Sequence, residues 1–170
     1  MSALVDEVAK TLLPHAHKKG VRIEVAPRTD TQPLVADPTR LRQVLFNLAE
    51  NALKFTPSGG EVHLGVTETE FEDGTGSGFG AVLMDMPRRA VAFTVRDTGI
   101  GVPESEFEKI FDAFYQVDGS ATREHGGAGI GLSVVKRMTL MHGGRIDIAS
   151  EVGAGTTFTV TIPEPDDDAV

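Results

Sequence analysis

Two segments near the end of the chain alternate apolar and polar residues and are separated by a short linker. RIDIAS (145–150) and TTFTVTI (156–162) have the period of two that is typical of strands, and EVGAG joins them. A linker of this length can only connect antiparallel neighbours, so the two segments are predicted to form a hairpin. One face of such a hairpin is apolar and has to be covered by a second layer.

The remaining sequence supplies helices and further strands. A helical spacing over 1–20 is expected to end at Pro14 and then Gly20, and residues 38–55 form a second amphipathic segment with Asp37 as N-cap. A third helix is predicted after residue 129, with its stop at Gly143 and Gly144 and one apolar face made of Ile130, Val134, Met138 and Met141.

Strand patterns occupy 21–27, 61–68 and 90–97, and a short helix is predicted over 105–111. Strands in hairpin-like runs with helices between them favour helices on one face of a sheet. We therefore predict an α+β fold. It is a two-layer α/β sandwich with a mixed, mostly antiparallel sheet of about five or more strands, covered on one face by about three helices.

The composition excludes several classes of function. A formal charge of −9 disfavours nucleic acids and anionic membranes as partners, because both need a cationic face. No apolar run approaches a membrane span, and acids stand where a signal peptide would be basic, so a cytoplasmic chain without direct membrane contact is expected. The chain has no cysteine, and the i, i+2 spacing of His15 and His17 does not favour a metal site.

A polar stripe borders the apolar face of the second helix. Asn47, Asn51 and Lys54 fall within about 60° of each other at 100° per residue. An asparagine oxygen suits Mg²⁺, and a lysine one turn further on can meet phosphate oxygens. A solvated polar stripe would show the same pattern, and the one acid between the asparagines, Glu50, lies about 100° round the helix from Asn51.

Two glycine-containing motifs are candidate binding segments. VRDTGIG places Asp97 at a strand end before Gly99 and Gly101, where a carboxylate and open backbone could recognise a flat ligand edge, although such turns are also common. GGAGIGL places glycines at 127, 129 and 131 at a helix start, where free amides and the helix dipole favour phosphate. A plain hinge would explain the glycines but not their regular spacing.

Together these segments resemble one family, the ATP-binding catalytic domain of sensor histidine kinases, within the superfamily of DNA gyrase, heat-shock chaperones and mismatch-repair ATPases. RLRQVLFNLAENALKFT is similar to its N box, DTGIG to its first glycine box and FDAFYQVD to its phenylalanine box. GGAGIGL and GAGTTF are similar to the second and third glycine boxes, and all five follow the family order between residues 21 and 163.

The resemblance implies cofactors and roles. The cofactors are ATP and Mg²⁺, with Asn51 as the metal ligand, Asn47 beside it and Lys54 near the phosphates. Asp97 would accept a hydrogen bond from the adenine amino group, where Gly99 and Gly101 let the base approach and Thr156 supports it. The phosphate end would be shaped by Gly127, Gly129, Gly131 and Leu132.

The resemblance also implies an ATP lid. The lid would span about 112–128, with Phe111 and Phe114 as hinges or anchors and Arg123 as a phosphate contact. Its polarity and glycines indicate mobility. Ala128 stands where the family usually has threonine, and His125 where tyrosine is usual. The domain is expected over 1–163, with residues 1–20 as a leading helix and 164–170 as a disordered acidic tail.

The resemblance further implies a phosphoryl donor rather than a hydrolase. ATPases of the superfamily carry a glutamate base one turn before the metal asparagine, and that position is Asn47 here, so no residue of this chain is expected to act as the base. The phosphoacceptor histidine is expected on a separate dimerisation domain that is absent from this chain, with a response regulator downstream. The isolated domain is expected to be monomeric. The alternative is a degenerate nucleotide-binding or partner-docking module without phosphotransfer. A serine-kinase anti-sigma factor of the same superfamily is disfavoured, because that group keeps the glutamate that Asn47 replaces here.

Overall fold

The computed structural model describes residues 1–27, 32, 34–72, 87–117 and 129–165. The described part of the chain contains three α-helices, α1 (Ser2–Lys19), α2 (Pro38–Phe55) and α3 (Gly131–Met141). Its five strands are β1 (Arg22–Val25), β2 (Glu61–Phe71), β3 (Arg88–Asp97), β4 (Arg145–Glu151) and β5 (Gly155–Pro163).

The five strands form one mixed sheet in the order β1-β2-β3-β5-β4. The pair β1–β2 is parallel, and its connection contains α2. The other three pairs are antiparallel, with Val95 opposite Phe158 in β3–β5 and Ile148 opposite Phe158 in β4–β5. The predicted C-terminal hairpin is therefore present, and its tip adjoins the end of β3.

The helices cover the face of the sheet from which the apolar side chains of the strands project. Helix α2 packs against both α1 and α3 and against β3. The apolar residues that this face buries against the helices include Val62, Leu64, Val91, Phe93, Val95, Val160 and Ile162. The predicted α+β two-layer fold is confirmed.

Helix α2 begins as its sequence indicates. The Asp37 carboxylate accepts hydrogen bonds from the amides of Thr39 at 2.9 Å and Arg40 at 3.3 Å, and Pro38 occupies the first turn, where no donor is needed. Helix α1 differs from the prediction because it continues through Pro14 to Lys19. The ring of Pro14 lies on the exposed side, while Leu12 and Ala16 keep the buried face continuous. Gly20 ends the helix in the left-handed conformation.

The predicted apolar face of α3 is wrong in part, because Met138 packs against the core but Ile130 and Met141 are exposed. Its fully buried side chains are Val135 and Thr139, whereas Ile130 is 40% and Met141 59% exposed. Helix α3 is rotated so that the row through Val135 faces α2 and the sheet. The predicted helix over 105–111 is also different, since Glu104–Glu106 and Lys109–Phe111 are two separate 3₁₀ turns. None of the described helices is both long enough and apolar enough to cross a membrane.

Candidate functional site

Asp97 ends β3 as a buried carboxylate with one oxygen engaged. Its Oδ1 accepts hydrogen bonds from the amide of Gly99 at 2.8 Å and from the amide of Thr156 at 3.3 Å. Burial raises the pKa of Asp97, and the two amide hydrogen bonds oppose that rise without cancelling it. Within the described residues, both side-chain hydrogen bonds to Asp97 reach Oδ1, which leaves Oδ2 as an acceptor for a ligand.

The loop after Asp97 is pressed against the end of α2. The amide of Ile100 donates to the carbonyl of Phe55 at 3.3 Å. A Cβ placed on Gly99 would lie 2.6 Å from the same carbonyl oxygen, so only glycine fits. The helix of the polar stripe and the loop of the first glycine motif therefore meet at Phe55.

The tip of the β4–β5 hairpin holds the other side of this loop. Gly101 has a φ of 70°, and a Cβ there would overlap the carbonyl oxygen of Glu151. The amide of Gly153 donates to the carbonyl of Ile100 at 2.8 Å. An open pocket of about 530 Å³ lies at this end of the sheet, and its lining in the described part of the chain comes from the strand ends and the hairpin tip, without residues of α2, α3 or the loop after Asp97. The lining residues are Arg96, Asp97, Ala149, Ser150, Glu151, Ala154, Gly155, Thr156 and Thr157.

Of the polar stripe of α2, Asn51 lies next to the start of α3, whereas the ammonium group of Lys54 lies 4.8 Å from the centre of the Phe55 ring. Asn47, Asn51 and Lys54 are all half-buried, and the neighbouring Glu50 is exposed. A Cβ on Gly131 would lie 3.6 Å from Nδ2 of Asn51, so the Asn51 amide adjoins the first turn of α3. Backbone amides of a helix start carry partial positive charge, which favours an anion next to this asparagine.

Phe114 and Gly129 are joined through their backbones. The amide of Phe114 donates to the carbonyl of Gly129 at 2.9 Å, and both residues have positive φ, 68° and 67°. Phe114 is 74% exposed, whereas Phe111 is buried and packs edge-on against Phe158 at 6.2 Å. The bond lies at the base of the predicted lid.

The structure brings several of the predicted site residues together. Asp97 binds the amides of Gly99 and Thr156, Gly101 contacts the hairpin tip at Glu151, and Asn51 lies next to Gly131. Phe114 contacts Gly129, and Leu132 packs at the edge of the core. Arg123, Gly127, His125 and Ala128 lie outside the described residues.

Two residues of this region were missed from the sequence. Ser150 accepts a hydrogen bond from the amide of Val102 at 2.8 Å and contacts both Gly155 and Thr156. Ser150 could have been noticed, because it continues the alternation of Ile146 and Ile148 and so places a polar side chain on the core-facing side of β4. Lys19 donates to the carbonyl of Leu53 at 2.8 Å and to that of Lys54, at the end of α2. No local pattern could have paired residues so far apart in sequence.

The donor set limits how a metal could be held. In the described part of the chain, no group of three or more His, Asp or Glu side chains could hold an ion by itself. Asn51 supplies a neutral side-chain amide beside a helix start, with its Nδ2 atom near Gly131. This set suits Mg²⁺ that arrives with phosphates, since Mg²⁺ keeps waters and uses few protein ligands.

Comparison with known proteins agrees with this geometry. The model of the family described as "Histidine kinase-, DNA gyrase B-, and HSP90-like ATPase" matches residues 36–166. The chain belongs to this family. The predicted resemblance to histidine-kinase catalytic domains is thereby confirmed.

Relatives of this histidine kinase-like ATPase domain are sensor kinases. It is 47% identical over 129 residues to the circadian input-output histidine kinase CikA of Synechococcus elongatus, covering 76% of this chain and 15% of CikA. It is 39% identical over 135 residues to the sensor histidine kinase WalK of Bacillus subtilis, covering 78% of this chain and 20% of WalK. The chain thus spans a fifth or less of the length of these relatives.

Solved structures, among them the catalytic domain of the histidine kinase ThkA, share the fold of the domain. Full-length ShkA in complex with AMPPNP superposes with a TM-score of 0.74 at 34% identity, over 95% of this chain and 29% of ShkA. The nucleotide-free catalytic domain of ThkA gives 0.68 at 25% identity, over 95% of this chain and 90% of that domain.

Proposed function

We propose that this domain binds Mg-ATP and donates the γ-phosphoryl group to a histidine on a separate dimerisation domain in two-component signalling. The observation that carries the proposal is Asp97, a buried carboxylate whose Oδ1 is held by two amides while Oδ2 stays available. A carboxylate oxygen accepts one hydrogen bond from an exocyclic amino group, as an adenine presents. The AMPPNP complex of ShkA supports a nucleotide as the ligand.

The phosphates would lie between α2 and the start of α3. In this arrangement Asn51 binds Mg²⁺, Asn47 lies one turn before it, and Lys54 meets phosphate oxygens. The first-turn amides at Gly131 and Leu132 contribute partial positive charge. Gly127, Gly129 and Arg123 are proposed to complete the phosphate end, on the basis of the sequence motif alone for Gly127 and Arg123. Bound Mg²⁺ would neutralise charge on the transferred phosphoryl group.

The reaction is a displacement at the γ-phosphorus. A neutral imidazole nitrogen of the partner attacks, an N–P bond forms, and the bond from the γ-phosphorus to the bridging oxygen breaks, releasing ADP. The imidazole proton is lost to solvent. Position 47 offers an amide that cannot take a proton from water, so the site positions the phosphoryl group for transfer rather than for hydrolysis.

The proposal assigns the domain to the transferases and names two partners. The first is the histidine-containing dimerisation domain of the parent kinase, and the second is a response regulator that takes the phosphoryl group from that histidine. The similarity to WalK and CikA supports both assignments.

The test mixes the chain with Mg²⁺, ATP labelled at the γ-phosphate and the parent's dimerisation domain. Acid-labile, base-stable label on that partner is the expected result, and the matched control replaces the partner's histidine with glutamine. Tight ATP binding with no transfer to the partner would favour the alternative, a nucleotide-binding or docking module without phosphotransfer. Failure to bind ATP would refute both.

A further inference from the structure

Ser150 is the last inward-facing residue of β4 before the hairpin tip. Ile146 and Ile148 precede it in the same register and pack against the core, so an apolar residue would be ordinary at this position. Its hydroxyl instead lies within hydrogen-bond distance of three groups. These are the amide of Val102 at 2.8 Å, the carbonyl of Gly155 at 2.9 Å and Oγ1 of Thr156 at 2.8 Å.

The number of protons determines the direction of each bond. A serine hydroxyl has one proton and two lone pairs. All three contacts form hydrogen bonds together only when the Ser150 proton is directed to the carbonyl of Gly155, because the carbonyl can only accept and the amide of Val102 can only donate. In that arrangement the bond between Ser150 and Thr156 is donated by Thr156.

This direction determines what the Thr156 hydroxyl can offer a ligand. Its proton is engaged by Ser150, so only its lone pairs remain. The amide of the same residue donates to Oδ1 of Asp97, and the two residues line the same pocket. The carboxylate and the hydroxyl thus both present acceptors at this end of the sheet.

We propose that Ser150 is a positioning residue for base recognition, because it fixes the Thr156 hydroxyl as an acceptor beside Asp97. The ligand edge that fits two acceptors is one that donates, and the 6-amino group of adenine has two N–H bonds. The inference rests on the proposed function and adds to it a residue that controls selectivity for the amino group without touching the ligand.

A purely structural role has to be separated from this one. Loss of the Ser150 hydroxyl leaves the amide of Val102 and the carbonyl of Gly155 without a partner, which destabilises the loop whatever its ligand. A fall in the affinity for ADP would therefore be expected under either explanation. Purine riboside diphosphate lacks the 6-amino group, so the ratio of the affinities for ADP and for this analogue measures only the contribution of the acceptors that bind the amino group.

The experiment measures this ratio by calorimetry for the unchanged chain, Ser150→Ala, Ser150→Thr, Thr156→Val and the double variant Ser150→Ala/Thr156→Val. Without Ser150, the Thr156 hydroxyl can rotate and turn its proton to the ligand. We expect the preference for ADP to fall about three- to tenfold in Ser150→Ala, the range of one neutral hydrogen bond, and to be kept in Ser150→Thr. Thr156→Val should lose the same preference, and adding Ser150→Ala to it should change the ratio no further.

Thr11→Ala is the matched control, because Thr11 donates to the carbonyl of Glu7 on the exposed side of α1. The ratio of the two affinities in this variant should equal that of the unchanged chain.

Equal weakening of both ligands in Ser150→Ala would overturn the proposal, as would additive losses in the double variant. If Ser150→Ala does not fold, Ser150→Cys keeps the volume with a weak hydrogen-bonding group and is measured instead. Failure of the unchanged chain to bind ADP would refute the proposed function, whereas ADP binding with no preference for the amino group would refute only this inference.

Discussion

The amide of Gly99 donates a hydrogen bond to Oδ1 of Asp97 at 2.8 Å. The first turn after β3 therefore holds the carboxylate of the last residue of that strand. The side chain is therefore held before any ligand arrives. Asparagine at this position could accept the same hydrogen bond through its amide oxygen. The Asp97→Asn variant therefore keeps the structural contact and removes the charge.

Asp97→Asn is expected to bind ADP at least about tenfold more weakly while unfolding at a higher temperature at neutral pH. The amide oxygen keeps the bonds from Gly99 and Thr156, and an NH₂ group replaces the acceptor Oδ2. The variant also removes a buried charge, whose cost is seen in the raised pKa of Asp97. Calorimetric titration and thermal unfolding measure the two effects, and a lower melting temperature than the unchanged chain would contradict this interpretation.

The stability gain of Asp97→Asn is expected to depend on pH. Because the folded-state pKa of Asp97 is raised above its ordinary value of 3.8, the folded chain binds this proton more tightly than the unfolded chain does. Ionised Asp97 therefore lowers the free energy of unfolding above the raised pKa, and that penalty disappears as the pH falls below 3.8. Urea unfolding of both chains across the acidic range should show their difference shrinking, and a constant difference would exclude Asp97 as its source.

Asn51→Ala is expected to weaken Mg²⁺-dependent ATP binding by at least about tenfold, or about 1.4 kcal/mol. The Asn51 amide adjoins the first turn of α3, where the phosphates and metal are proposed to lie. Glu50→Ala is the matched control on the same helix, because Glu50 is exposed and should change affinity little. ATP titrations with and without Mg²⁺ measure both, and equal losses in the two variants would show that the wrong face of α2 was assigned.

Gly101→Ala is expected to lower the free energy of unfolding by about 2 kcal/mol or more beyond the cost of Gly153→Ala. Both glycines have positive φ, 70° and 83°, so alanine is strained at either position. Only at Gly101 would the added Cβ overlap backbone, at Glu151, whereas nothing lies within 4 Å at Gly153. Urea unfolding compares the pair, and similar losses would mean that the hairpin tip moves away freely.

Lys19→Met is expected to cost about 1 kcal/mol of unfolding free energy. The Lys19 ammonium group binds the carbonyls of Leu53 and Lys54, which no helical amide can reach, at the negative end of the α2 dipole. Burial and the charge of Lys54 lower the pKa of Lys19. Lys18→Met, an exposed neighbour on the same helix, should be near neutral in the same urea titration. An equal loss there would assign the effect to overall charge.

The sequence predicted those features that depend on neighbours along the chain. The Asp37 cap of α2 and the alternation of β3 and β5 are local patterns, and the order of helix and strand patterns along the chain predicted the fold class. The face of α3 could not be predicted, because its apolar residues surround the helix and the buried row includes the polar Thr139. The bonds of Ser150 and Lys19 depend on which elements become neighbours in space, which periodicity does not encode.

The backbone bond between Phe114 and Gly129 joins two residues that are fifteen positions apart in sequence. The entropy lost on joining the ends of a loop grows only with the logarithm of its length, about 0.6 kcal/mol for each doubling. Insertions and deletions between these two residues should therefore have little effect on the stability of the fold.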